Sequence, residues 1–248
     1  MTFSITVLGS SAMYATRERA CSGYLLEVGG RNVWLDAGAG TWRNLIRYID
    51  YADIHGIVLT HQHPDHTSDV FQAFHARNYG DKAPLPSIPL WAPRATLQAL
   101  TAFNPSIEES FDLAEIAEGG SFEFAGATFS FTRMAHPVET LGVRVAAGDA
   151  VLAYSADSGV SADFDALASG ADLFICEATF QDSDEAWTGH MSASQAAGLA
   201  ARVGAAQLLL THLPPGRDLG LSLAQAHAAG DGVPIQLADD GQRFEVGA

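Results

Sequence analysis

Apolar runs of strand length recur along the chain and predict a framework built mainly of β-strands. Each run is alternating or continuously apolar, and Gly or Asp residues bound it. The predicted strands cover residues 3–8, 23–28, 32–36, 54–59, 127–134, 141–146, 150–154, 173–177, 207–211 and 242–246. Helical periodicity predicts helices at 40–49, 67–78, 95–100, 162–169, 193–202 and 221–229, with Ser192 and Ser222 as caps or first-turn residues.

The order of these elements predicts a mixed α/β (α+β) architecture. Early strands are joined by short hairpin turns, as at Gly29-Gly30 and 147–149, whereas later strands alternate with helices. We therefore expect two packed sheets, covered outside by helices, in one domain spanning residues 1–248. The segment 81–93 carries four prolines and is expected to be a rigid loop.

Composition narrows the classes of function. Hydrophobic residues make up 48% of the chain, enough for a sizeable core, and the formal net charge is -16, from 13 Lys and Arg against 29 Asp and Glu. This charge disfavours a long nucleic acid as partner. Two cysteines make no disulfide framework, and neither a leader segment nor a membrane-spanning run is recognisable, so we expect a cytoplasmic protein without a membrane partner.

The sequence THQHPDH at residues 60–66 places candidate metal ligands directly after the aliphatic residues 57–59. Imidazole and carboxylate groups bind zinc, manganese and iron, and so many in one turn have no ordinary packing role. If the turn begins extended, His61 and His63 point the same way, whereas Asp65 and His66 lie beyond them and can address a neighbouring ion. Two metal ions are therefore expected rather than one; a solvated turn rich in histidine is the alternative.

Three further candidate ligands each follow a predicted strand: His136, Asp157 and His212. Any one of them alone would be read as a surface or capping residue. A pair of metal ions, however, needs more donors than the first cluster supplies, and these residues would complete the set. Residues 56–61 and 207–212 also resemble each other, since each is an aliphatic strand that ends in Thr-His.

With these residues the chain resembles the metallo-β-lactamase superfamily, whose motif H-x-H-x-D-H is matched at residues 61–66 and whose later ligands occur in order. The resemblance implies a four-layer αββα sandwich with two divalent metal ions in the cleft between the sheets. Zinc is the favoured metal, with manganese and iron as alternatives. The implied ligands are His61, His63 and His136 for one ion and Asp65, His66 and His212 for the other, with Asp157 bridging.

Two more segments are similar to the phosphodiesterase branch of this superfamily, which includes tRNase Z. Glu177 in CEATF and His190 in GHMS match the segments that supply a glutamate–histidine proton donor there. A leaving alkoxide needs a proton, and an imidazole held by a carboxylate can give one. The resemblance implies attack on phosphorus by a hydroxide between the two ions, with Asp65 orienting or deprotonating the water. Solvated positions at element ends are the alternative for Glu177 and His190.

A small phosphodiester, such as a cyclic nucleotide, is the expected substrate. Members that process tRNA carry a long arm between the third histidine and the bridging aspartate, but only 21 positions separate His136 from Asp157 here. Their basic early loop is reduced to residues 15–20. The alternatives are a tRNA 3′-processing endonuclease, a thiolester or lactone hydrolase, and a non-catalytic binding protein. The resemblance also implies a homodimer.

Some residues outside the motifs are further candidates. Asp36, at a strand end, matches a structural aspartate of the superfamily and is expected to orient a ligand histidine. Candidate substrate contacts are Ser10, Ser11, Arg17, Arg19 and Arg144, although solvated or salt-bridged positions are favoured for the arginines. Core or lid packing is likewise favoured over a base-binding pocket for most of five aromatic residues: Tyr79, Trp91, Phe103, Phe180 and Trp187.

Overall fold

In the computed structural model, which describes residues 3–185 and 187–247, two sets of strands alternate with helices along the chain. The strands are β1 (Phe3–Gly9), β2 (Gly23–Val28), β3 (Arg31–Ala37), β4 (Gly56–Val58), β5 (Ile88–Ala92), β6 (Phe111–Glu115), β7 (Ser121–Phe124), β8 (Ala127–Arg133), β9 (Leu141–Ala147), β10 (Ala150–Tyr154), β11 (Leu173–Glu177), β12 (Leu208–Thr211), β13 (Ile235–Leu237) and β14 (Arg243–Glu245). The helices are α1 (Thr41–Leu45), α2 (Pro64–Thr67), α3 (Val70–Tyr79), α4 (Arg94–Phe103), α5 (Phe164–Ala168), α6 (Ala193–Arg202) and α7 (Leu219–Ala229).

The strands form two sheets whose inner faces pack together. One sheet has the order β14-β1-β2-β3-β4-β5-β6, and the other has the order β13-β12-β11-β10-β9-β8-β7. The core between them includes Ile5, Leu26 and Leu35 from the first sheet and Val143 and Ile175 from the second, all buried. Because successive side chains of a strand point to opposite faces, the other apolar residues of each strand face outward and need a second cover.

Helices supply that cover on both outer faces. On the first sheet, Trp34 packs in one buried cluster with Leu45 of α1 and Phe74 of α3. On the second sheet, Phe174 packs in another with Ala197 of α6 and neighbouring residues of α5 and α7. The architecture is therefore the αββα sandwich that the sequence predicts. No helix in the described ranges is long and apolar enough to cross a membrane.

The prediction of a rigid loop at 81–93 is wrong, because this segment contains strand β5. Leu90 and Ala92 are buried against the helical layer, and Trp91 on the opposite face stacks on Phe122 with 4.3 Å between ring centroids. This alternation outweighs the local prolines, of which only Pro89 lies within the strand. Strands β6, β7 and β13 likewise fall where no strand is predicted.

Helix boundaries also differ from the predicted ones. The helix predicted at 67–78 begins later, at Val70, as α3, whereas the separate helix α2 ends at Thr67. Ser222 is the fourth residue of α7 rather than its cap. Ser192 does cap α6: its hydroxyl accepts a hydrogen bond from the Gln195 backbone N–H, and the Gln195 side chain accepts one from the Ser192 N–H. For α7 that role belongs to Asp218, whose carboxylate accepts from the Leu221 N–H at 3.1 Å.

Removal of the α7 cap should cost a measurable amount of stability. Asp218→Ala leaves the Leu221 N–H in the first helical turn without its side-chain acceptor, and we expect the free energy of unfolding to fall by about 1 kcal/mol. Asp218→Asn is the matched control, since Asn caps about as well as Asp. Urea denaturation monitored by circular dichroism measures both. An Asp218→Ala variant as stable as the parent would show that this cap contributes nothing.

Candidate metal centre

The predicted ligands meet at one edge of the sandwich because of strand direction. Strands β10, β11 and β12 run parallel, and β8 runs the same way as β10 since both are antiparallel to β9. Their carboxyl ends therefore share an edge, where His136, Asp157 and His212 follow β8, β10 and β12. In the other sheet β3 and β4 are also parallel, and His61 follows β4.

One group of donors comprises His61, His63, His136 and Asp157, whose ligand atoms all lie within 4.8 Å of one another. His136 Nε2 lies 3.2 Å from His63 Nδ1, and Asp157 Oδ2 lies 3.6 Å from His61 Nε2. Zinc–nitrogen bonds of about 2.0–2.1 Å in a tetrahedral site put ligand atoms about 3.4 Å apart. The observed spacing therefore suits donors arranged around one ion.

A second group comprises Asp65, His66 and His212. His212 Nε2 lies 3.4 Å from Asp65 Oδ2. The remaining carboxylate oxygen of Asp157, Oδ1, lies 3.2 Å from His66 Nε2 and 3.4 Å from His212 Nε2. Asp157 thus turns one oxygen to each group, which is the arrangement that a bridging role requires.

Hydrogen bonds select the nitrogen that His61 and His66 present to the centre. Asp36, fully buried, accepts from the Thr60 N–H at 2.8 Å, the Thr60 hydroxyl at 2.9 Å and the Tyr154 hydroxyl at 3.0 Å. Since the Thr60 hydroxyl donates to Asp36, it accepts from Nδ1–H of His61 at 3.0 Å. His66 Nδ1–H donates directly to Asp36 Oδ2 at 2.7 Å. Each ring therefore turns Nε2, with its lone pair, inward.

The later histidines are oriented in the same way by different partners. His136 Nδ1–H donates to the Gly189 carbonyl at 2.8 Å. The Thr179 hydroxyl lies 3.0 Å from His212 Nδ1 and donates to the His212 carbonyl at 3.4 Å, so it accepts from Nδ1–H. The two Thr-His pairs of the sequence are consequently not equivalent, because Thr211 instead bonds the Tyr24 hydroxyl at 2.7 Å. Thr179 and Tyr154 are site residues that no sequence pattern singled out.

These residues fit a divalent cation on two further grounds. Among the residues that the structure describes, His61 Nε2, His66 Nε2 and Asp157 Oδ1 are buried without a hydrogen-bond partner, which is costly unless another ligand satisfies them. Burial also lowers the pKa of His61 well below its usual range, and lowers those of His63 and His136, so these rings are held in the neutral form that binds metals.

Electrostatics favour positive charge in the second group. Burial opposes a charge on His66, but the Asp157 and Asp36 carboxylates outweigh it and raise the pKa of His66 well above its usual range. Burial likewise opposes a charge on Asp65, yet its hydrogen bond with His212 and its proximity to His66 hold its pKa below the usual range. The carboxylates that favour a proton here favour a divalent cation for the same reason.

Glu177 and His190 form a pair beside these groups, not two solvated positions. Glu177 is fully buried at the end of β11 and accepts from His190 Nδ1–H at 2.6 Å and from the Ser158 N–H at 2.7 Å. His190 Nε2 is therefore the nitrogen free to face the centre, and a ring nitrogen of His190 lies within 4.8 Å of ligand atoms of Asp157 and His212. Burial opposes the charge on His190, but Glu177 outweighs it and raises the pKa of His190.

Most of the candidate substrate contacts after β1 instead make hydrogen bonds or ion pairs within the protein, which hold the loop that follows this strand. Ser10 donates to the Asp240 carboxylate at 3.1 Å, Ser11 donates to the Tyr14 carbonyl at 2.9 Å, and Arg19 lies 3.6 Å from Asp239. The loop reaches the centre through Met13, whose N–H donates to Asp65 Oδ2 at 2.9 Å.

Arg144, also a candidate contact, lies away from the centre. It donates to the carbonyl of Leu167 in α5 at 3.1 Å, because its position on β9 points it to the outer helical layer. Arg17 remains exposed. Of the aromatic candidates, Trp91 is a packing residue, whereas Trp187 and Phe180 lie 5.1 and 6.0 Å from the His190 ring, centroid to centroid.

Comparison with known proteins agrees with this fold. Residues 31–213 match the model of the beta-lactamase superfamily domain, so the chain belongs to this superfamily. It is a metallo-hydrolase with a His/Asp cluster suited to divalent metal ions. Rv1339 of Mycobacterium tuberculosis is 32% identical over 98% of this chain and 92% of its own length. The probable metallo-hydrolase YhfI of Bacillus subtilis is 30% identical, with 85% and 86% covered, and ribonuclease Z of Streptomyces coelicolor is 26% identical, with 98% and 97% covered.

Solved structures share the whole fold. The crystal structure of YhfI superimposes with a TM-score of 0.90 at 24% identity, covering 98% of both chains. Human tRNase Z, short form, has a TM-score of 0.77 at 21% identity, covering 99% of this chain and 100% of that one. A diphosphatase from the PhnP family has a TM-score of 0.73 at 21% identity, covering 98% and 97%.

Asp36 should control metal affinity without being a ligand. In Asp36→Asn the acceptor for His66 Nδ1–H is weakened, so the ring is no longer held with Nε2 inward. We expect zinc to bind about 10–100-fold more weakly, as measured by competition with a chromophoric chelator. Asp53→Asn, a change at an exposed carboxylate, is the control. Equal affinities of Asp36→Asn and the parent would contradict this role.

Proposed function

We propose that this chain is a phosphodiesterase that hydrolyses small nucleotide phosphodiesters, including cyclic ones, with two divalent metal ions, zinc being favoured. The observation that carries the proposal is the Glu177–His190 pair, whose imidazole faces the donor groups through its remaining nitrogen. A hydrolase whose leaving group is a basic alkoxide needs such an acid, whereas a thiolate leaves without one. The pair therefore favours a phosphodiester over a thiolester.

The residues divide the work of the reaction. Divalent ions held by the two donor groups would supply an acidified water and positive charge opposite the phosphoryl oxygens. Asp65, whose carboxylate is fixed by the Met13 N–H, orients the attacking water. His190, held by Glu177, gives a proton to the leaving oxygen. Because Glu177 raises the pKa of His190, the imidazole keeps its proton to a higher pH than a free histidine does. The general acid is lost as the pH rises through that raised pKa.

The region between His136 and Asp157 supports a small substrate. It is filled by the hairpin of β9 and β10, which lies within the second sheet, so it holds no projecting arm that could grip a tRNA. The net charge of -16 also disfavours a polyanion. Relatives named ribonuclease Z and a solved diphosphatase of the PhnP family suit a phosphoester substrate in general. Cytoplasmic location and a homodimer remain parts of this proposal.

A substrate panel tests the reaction class. Metal-free protein, reconstituted with zinc or manganese, is offered bis(4-nitrophenyl) phosphate, 3′,5′- and 2′,3′-cyclic nucleotides, precursor tRNA and S-lactoylglutathione. We expect hydrolysis of the small diesters only, lost on chelation and restored by metal. Cleavage of the thioester alone would reject the proposal, and cleavage of precursor tRNA alone would favour an endonuclease.

His190→Ala should separate proton donation from metal binding. We expect turnover of a cyclic nucleotide to fall by about 10²–10⁴-fold, the usual loss on removal of a general acid, with metal content unchanged. For bis(4-nitrophenyl) phosphate the loss should be much smaller, because nitrophenolate leaves without protonation. His227→Ala, at an exposed histidine, is the control. Equal losses with both substrates would remove His190 from the role of acid.

A further inference from the structure

A cavity of about 380 Å³ lies beside His190 and outside the two donor groups. Its wall includes Phe180, Asp182, Trp187 and Thr188, and His190 itself forms part of it. The volume falls within the range of about 300–1,000 Å³ typical of small-molecule sites. His190 therefore stands between the candidate metal centre and a space large enough for a nucleoside.

We propose that this cavity binds the base of the leaving nucleoside, stacked on Trp187, with a preference for bases that carry an exocyclic amino group. The inference rests on the proposed function, because the position of the acid defines the leaving side. His190 protonates the leaving oxygen, so the organic group attached to that oxygen lies next to His190. The cavity is the space available there.

Trp187 is built as a stacking surface. Its side chain is 46% exposed, whereas Trp34 in the core is fully buried. The indole lies 5.1 Å from the His190 ring and 6.1 Å from the His136 ring, centroid to centroid. A Cβ on Gly189 would lie 2.5 Å from carbons of the indole, so the absence of a side chain there lets the ring lie close against the backbone. An exposed ring that is held in place suits a planar ligand.

The charge of the wall disfavours phosphate and favours exocyclic amino groups over the N3–H of uracil, which lies between two carbonyl oxygens that carboxylates repel. Carboxylates of Asp182, Asp184 and Glu185 line the cavity, and of the described residues around it none is Lys or Arg. Asp184 is paired with Arg217 at 2.8 Å, and Asp182 accepts from Ser192 at 3.2 Å, so the acceptors are partly fixed. Such a wall repels an anion and accepts hydrogen bonds from an amino group.

Nucleosides test the cavity apart from hydrolysis, because they contain no phosphorus. Equilibrium dialysis of adenosine, cytidine and uridine against the metal-loaded protein should show binding, tighter for adenosine and cytidine than for uridine. Trp187→Ala should weaken adenosine binding at least about tenfold, and Trp187→Phe should retain part of it. Phe103→Ala is the control, because Phe103 is 76% exposed and lies outside the cavity; this variant should bind adenosine as the parent does. Circular dichroism checks that each variant is folded.

The outcomes separate the two proposals. Hydrolysis of bis(4-nitrophenyl) phosphate without binding of any nucleoside, or with equal adenosine binding by Trp187→Ala and the parent, would overturn the cavity and leave the phosphodiesterase standing. Adenosine binding that depends on Trp187, without hydrolysis of any diester, would support the cavity as a nucleoside site and overturn the phosphodiesterase. Uridine bound as tightly as cytidine would overturn the preference for an amino group.

Discussion

The buried carboxylate of Asp36 is the contact on which the rest of the centre depends. Asp36 lies near the end of β3 in the first sheet, yet it accepts hydrogen bonds from Tyr154 of the second sheet, from Thr60 and from His66. A buried carboxylate is tolerated only when hydrogen-bond donors surround it. The same hydrogen bonds to Asp36 therefore join the two sheets and orient the candidate ligands. Its φ of 55° is a conformation that costs energy for a residue other than Gly.

Two other buried carboxylates, Asp157 and Glu177, also contact more than one part of the site. Asp157 divides its two oxygens between the donor groups, and Glu177 holds both His190 and the Ser158 N–H of the loop that follows Asp157. The candidate acid and the bridging position are thus fixed by one connected set of buried bonds. Such coupling would hold the candidate acid at a fixed distance from the candidate metal ligands, as the proposed acid catalysis requires.

His190 lies between the candidate metal centre and the cavity, and the two proposals concern its two sides. On one side a ring nitrogen of His190 lies within 4.8 Å of ligand atoms of Asp157 and His212; on the other side the His190 ring lies near the rings of Trp187 and Phe180. The metal side is cationic when loaded and suits the phosphoryl group, whereas the cavity is lined by carboxylates and suits a neutral ring. In the proposed reaction, the His190 imidazole would therefore lie between the phosphoryl group and the base of the substrate.

Much of this was determined by the sequence alone, because ligand chemistry and strand periodicity are local properties. The candidate donors from His61 to His212 followed from local motifs, whereas the pair of Glu177 and His190 and the four-layer sandwich followed from the resemblance to the superfamily. Only the tertiary structure decided that Thr179 rather than Thr211 orients His212, that Arg144 points to the outer helices, and that Trp187 lines a cavity. These depend on which distant elements supply the hydrogen-bond and packing partners, and chain spacing does not encode that.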